Sequence, residues 1–286
     1  MPTIEDKVTE LESRLEALEA RISMSSPQET SDEVRATNER ILESKVDALA
    51  DKLQLAGRPI FYVAATPLRL IDIGEIFESS SPATKLFENP DRVREEGFNM
   101  YRSDRHSVIV EGQNRELQLA SQIRTLGRDG TLVALFRGDD DFLGWAMKST
   151  GWPMSQEEMA TPNRINSLVL IEATYGVVRL TRDILKTSRH SGTPIQFSIG
   201  LRNMMWNGQG PQLLEGKADR NMHFASRVQS EVDNGVFSVF ASGDQSPERI
   251  AFMLVAEIYR RFGVPDERVP YSEIVDGERR IVPAQF

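Results

Sequence analysis

Ile4, Val8, Leu11, Leu15, Leu18 and Ile22 recur at spacings of 4, 3, 4, 3 and 4. That rhythm predicts a helix with one narrow apolar seam, at the a and d positions of a coiled coil. Glutamate and arginine fill the positions between, and no glycine or proline interrupts them. A helix with so thin a seam needs a partner to cover it. The run Ser23-Met24-Ser25-Ser26-Pro27 ends the pattern, since proline lacks a donor and restricts the residue before it. A second helix is expected from near Ser31, with Asp32 and Glu33 at its positive end. Leu42, Val46, Leu49 and Leu53 give it a similar seam, and Gly57-Arg58-Pro59 stops it. Residues 1–56 thus read as a helical oligomerisation segment. Two coverings compete: pairing between chains, which we favour and which makes the protein a homo-oligomer, or folding back within one chain. Neither the number of chains nor the helix direction follows from the pattern.

From residue 58 the pattern changes, and 58–286 reads as one globular domain. Ile60–Ala65 is a continuous apolar run between Pro59 and Pro67, as in a buried strand. Residues 68–104 are mixed, with Pro82, Pro90 and Gly97 punctuating them. A meander is expected over 107–137. Ser107–Val110 and Arg115–Leu119 flank Gly112-Gln113-Asn114, and Gln122–Leu126 and Thr131–Phe136 flank Arg128-Asp129-Gly130. Asn166-Ser167 opens a long helix to about residue 189, with Leu170, Ala173, Val177, Leu180 and Ile184 as its buried stripe. Ile195–Leu201 alternates as a half-buried strand, 203–222 reads as an irregular loop, and 235–241 as a further strand. Ser246-Pro247-Glu248 starts a second long helix that ends at Gly263. Asp276-Gly277 closes a last hairpin between 272–275 and 279–282. The fold class is α+β: N-terminal coiled-coil-like helices, then an antiparallel-sheet domain with two long helices.

Composition narrows the chemistry. The 286 residues contain no cysteine, which removes disulfides, thiolate metal sites and cysteine nucleophiles. The three histidines are His106, His190 and His223. None stands in a recognisable catalytic frame, and His223 is the first to test. The net charge of −9 argues against wholesale coating of nucleic acid. Residues 1–56 hold 13 acids and 7 bases, and the rest hold 30 and 27, so the body is close to neutral. The start of the chain has neither a basic leader with an apolar core nor a membrane-length apolar run. These features imply a cytoplasmic protein with no membrane partner.

Arg179, Arg182, Lys186 and Arg189 fall on one side of the long helix and form a candidate phosphate or nucleic-acid face; an ordinary wet helix face explains the same pattern. Asp139-Asp140-Asp141 could hold a divalent cation, but consecutive carboxylates on extended chain point apart, so we assign no metal. Trp145, Trp152 and Trp206 lie in or near glycine-containing stretches; such a residue can be a binding platform, but these are expected to plug the core. Phosphate-binding glycine loops and Gly-x-Ser-x-Gly are absent. No cofactor and no catalytic residue is assigned.

Residues 58–67 (Arg58-Pro59-Ile60-Phe61-Tyr62-Val63-Ala64-Ala65-Thr66-Pro67), 92–99 (Arg92-Val93-Arg94-Glu95-Glu96-Gly97-Phe98-Asn99) and Arg128-Asp129-Gly130 carry a resemblance. The middle third of the chain resembles the accessory region that follows AlbA-like (Schlafen-type) nucleic-acid-binding domains of bacteria. Helices stand where that domain would be. The resemblance implies a bacterial regulatory or defence-type module and assigns no catalytic residue. The expected function is a non-enzymatic, self-associating cytoplasmic sensor or protein-interaction module. One alternative is a nucleic-acid-associated regulator using the arginine-rich helix face. Another is a metal-dependent hydrolase using Asp139 and Asp141.

Overall fold

A computed structural model gives the structure of the protein. It describes residues 27–52, 55, 57–88, 100–103, 107–113, 120–139, 142–144, 163–217, 224–226 and 236–286. The first seam, 4–22, lies outside them.

Helix α1 runs Pro27–Lys52. Strand β1 (Ile60–Pro67), helix α2 (Pro82–Glu88) and strands β2 (Met100–Ser103), β3 (Ser107–Gln113), β4 (Ala120–Gly127), β5 (Leu132–Arg137) and β6 (Arg164–Ile165) follow. Then come helix α3 (Ser167–Thr187) and strands β7 (Ile195–Arg202), β8 (Gln212–Leu214), β9 (Phe224–Ser226) and β10 (Val236–Ala241). Helix α4 (Pro247–Arg261) and strands β11 (Ser272–Val275) and β12 (Glu278–Ile281) complete the order.

The chain divides into two compact units between Ile41 and Leu42. Of the first, the described part is the α1 stretch from Pro27 to Ile41. The second holds a seven-stranded sheet in the order β10-β7-β1-β5-β4-β3-β2, every neighbouring pair antiparallel. The α+β class and the antiparallel sheet are as the sequence implies. None of the described helices is long and apolar enough to cross a membrane.

The central strand β1 is buried on both faces, and its period of two deals its side chains into separate cores. Phe61, Val63 and Ala65 join Leu132, Ala134 and Phe136 of β5 and Ile195, Phe197, Ile199 and Leu201 of β7 in one core, with Leu170, Val177, Ile184, Leu254 and Ile258 of α3 and α4. Ile60, Tyr62 and Ala64 join Ile123, Val133 and Leu135 in a second core. Leu42, Val46, Leu49 and Ala50 of α1, with Leu55 beyond it, supply the rest of that second core. The Leu42–Leu49 seam is therefore covered by its own sheet. Each large side chain so buried contributes about 1.5–3 kcal/mol.

Helix ends follow their local chemistry. Asn166 accepts the Leu168 amide at 2.9 Å to cap α3, and Ser246 accepts the Arg249 amide ahead of Pro247 to cap α4. The last hairpin turns at Asp276 and Gly277, with φ of 53° and 79°, the paired left-handed backbone of a tight hairpin turn.

Three expectations change. β3 pairs with β4 from Ser107 opposite Gly127 to Gln113 opposite Ala120, so the partner of 107–110 is not 115–119. Ile195–Leu201 is buried on both faces rather than one. The expected loop 203–222 contains β8, which pairs in parallel with β6 and antiparallel with β9.

Candidate functional site

The β4–β5 turn is where charged groups from distant parts of the chain meet. Gly127 donates to the Thr131 carbonyl at 2.9 Å, and the Thr131 amide donates to Asp129 Oδ1 at 3.0 Å. Arg128 and Asp129, neighbours in this turn, reach different partners. Asp129 meets Lys45 of α1 at 3.2 Å. Arg128 grips Asp72 through Nε at 2.7 Å and Nη2 at 2.9 Å, a planar two-point fit. The Ile73 amide donates to the Arg128 carbonyl at 3.0 Å, and the Gly74 amide to Asp72 Oδ1 at 2.8 Å. Segment 72–74 is thereby tied to the turn.

Two hollows flank it. The first, about 430 Å³, lies among Lys45, Ala48 and Leu49 of α1 and Thr125, Asp129 and Thr131. The second is a polar groove of about 660 Å³ with Asp72, Glu75 and Glu78 on one wall. Its other wall is Arg128 with Ser188, Arg189 and His190, just past the end of α3. His190 Nε2 lies 3.3 Å from the Asp72 carbonyl oxygen, which bridges the two walls.

That end of α3 has a defined local cause. The Ser188 amide donates to the Ile184 carbonyl at 2.8 Å and the His190 amide to the Leu185 carbonyl at 2.7 Å. Arg189 between them takes φ 61°. This is the helix stop that usually places glycine in the left-handed position.

The Arg128 fork holds the Asp72 carboxyl below its ordinary range. Burial would raise Asp129, but the Thr131 amide and Lys45 outweigh it and bring this carboxyl below its ordinary range too.

The arginine stripe is not a uniform face. Arg179 lies 3.7 Å from Asp183. Arg182 is half-buried and donates through Nη2 to the Ser242 carbonyl. Burial lowers its guanidinium from the ordinary value, against the pull of Asp244. Lys186 is exposed on the helix, whereas Arg189 lies beyond it and enters the groove. Asp139 is ion-paired to Arg137 at 2.5 Å, while its carbonyl accepts the Phe142 and Gly144 amides. Asp140, Asp141, His106, His223, Trp145 and Trp152 lie outside the described residues. Among the described residues no three histidine or carboxylate side chains gather as a metal ion would need. Trp206, expected as a plug, is 42% exposed on a turn closed by its bridge to Gln209.

Sequence reasoning found the turn at Arg128-Asp129-Gly130 but not the groove. Asp72, Glu75 and Glu78 stand in a segment with no periodicity, and Asp72 is 56 residues from Arg128. The available signal was Arg189, a charged side chain where a helix end usually has glycine.

Compared with models of protein families, with curated proteins and with solved structures, the chain matches none.

Proposed function

We propose that the protein works by binding: it is a self-associating, non-enzymatic interaction module of the cytoplasm, and copies meet through the seam at Ile4, Val8, Leu11, Leu15, Leu18 and Ile22. The observation that carries this reading is the fate of the second seam. Leu42, Val46 and Leu49 are taken by the sheet, so they are not available to cover the first seam in a helical hairpin. Six aliphatic side chains at coiled-coil spacing then call for a cover from another copy. The resemblance of 58–67 and 128–130 to bacterial Schlafen-type accessory regions supports a regulatory or defence setting. The nucleic-acid reading has less support, since Arg182 and Arg179 already have partners in Ser242 and Asp183. The hydrolase reading has less again, since Asp139 is paired to Arg137.

Light scattering of the full chain tests the proposal. The expected mass is at least twice 32.2 kDa, and Leu11→Glu with Leu15→Glu returns it to the single-chain value, with a loss of helical circular-dichroism signal no larger than that one segment supplies, since a short helix without its partner is marginal in water. A single-chain mass for the unaltered protein overturns it.

A further inference from the structure

We propose that the groove between 72–78 and the end of α3 binds a short peptide with both ends free. Its ammonium faces Glu75 and Glu78, and its carboxylate faces Arg189 and the Ser188 hydroxyl. This inference does not rest on self-association.

The argument begins with which charges are already satisfied. Asp72 and Arg128 neutralise each other through two hydrogen bonds. Glu75, Glu78 and Arg189 line the same groove with no ion-pair partner among the described residues. A simple anion would meet three carboxylates there, and a simple cation would meet Arg189. A molecule carrying both charges, held apart, satisfies both walls. About 660 Å³ suits a ligand of that size, since small-molecule sites run to roughly 300–1,000 Å³.

Two further observations point to a ligand rather than to a wet crevice. Ser188 is only 4% exposed, yet its hydroxyl has no hydrogen-bond partner among the described residues. Buried hydroxyls are rarely left so, because the loss of water is uncompensated. A carboxylate in the groove supplies the acceptor that this O–H lacks. Arg189 takes the left-handed backbone that glycine adopts without cost. The strain is accompanied by a guanidinium on the groove wall, which glycine could not provide. The helix end does not repel a carboxylate with bare carbonyls. Those of Ile184, Leu185 and Lys186 accept the amides of Ser188, His190 and Arg189.

Ligand-detected NMR on the full chain tests this with dialanine, glycylphenylalanine and lysylglutamate. Each is also presented with its amine acetylated and with its carboxyl amidated. At least one free dipeptide should bind, and either block should weaken it about tenfold or more, the loss of one charge-assisted contact. Arg189→Gly should weaken the free dipeptide to the level of the amidated form. Because glycine suits that backbone, the variant should unfold at no lower a temperature than the unaltered protein. Glu75→Gln with Glu78→Gln should weaken the free dipeptide to the level of the acetylated form. Absence of binding by all three at about 10 mM, well above millimolar affinity, overturns the proposal. So does equal binding of blocked and free forms, or unchanged binding by Arg189→Gly.

Discussion

Tyr62 shows how one side chain joins the two sides of a core. It is 1% exposed in the second core and stands directly opposite Gly200 of β7. Arg202 lies over its ring, with the guanidinium carbon 5.5 Å from the ring centre, and Arg202 is ion-paired to Asp47 of α1. A methyl group at position 200 would come within 2.4 Å of the Tyr62 ring and hydroxyl. Gly200→Ala should therefore lower the unfolding free energy by about 1–3 kcal/mol, as overpacking does, in a urea titration. Burial pushes the Tyr62 phenol up to about 12, with Arg202 pulling the other way. The folded chain thus keeps a proton that the unfolded chain gives up near pH 10. The stability tied to it is complete below pH 10 and is lost as pH rises towards 12. Absorbance at the phenolate band should show Tyr62 ionising well above the ordinary tyrosine range. In Tyr62→Phe the late rise should shrink by one phenol and not disappear, because burial pushes Tyr259 up as well.

At the scale of elements, α1 is the one whose role the sequence left open. Its apolar spacing fits a partner chain and a sheet equally well, because both want a stripe along one side of a helix. Only the sheet's second face, at Ile60, Tyr62, Val133 and Leu135, decides for residues from Leu42 on. Leu42→Ala should cost about 2–5 kcal/mol of unfolding free energy in the same titration, whereas a surface position changes little. Elements whose signals are local were legible. β1 lay between two prolines, α4 began at Ser246-Pro247, and the last hairpin turned on Asp276-Gly277. Gly112-Gln113-Asn114 was misread as a turn because glycine also marks a bulge. The β3–β4 register shifts between Gly112 and Gln113, both of which lie within β3. The groove was illegible for a different reason. Its walls come from an aperiodic segment, a hairpin turn and a helix end, which only the sheet order brings together.

For the whole molecule, residues 1–56 carry most of the net acidity and the remainder is near neutral. The proposed assembly and the proposed peptide groove are separable by experiment. Leu11→Glu with Leu15→Glu should change mass and leave dipeptide binding intact, and Arg189→Gly should do the reverse. The position of the unit boundary matters for any such dissection. A body beginning at residue 58 would lose Leu42, Val46 and Leu49 and leave Ile60, Tyr62 and Val133 uncovered. It would associate for reasons unrelated to the first seam.

The alternation along β1 has a practical corollary. Phe61 and Tyr62 are chain neighbours, yet they look into opposite compartments of the protein. An isotope label on each ring would give two independent gauges a single peptide bond apart. One would register loosening beneath α3 and α4, the other the lifting of α1. The order in which the layers come undone could then be followed without altering any residue.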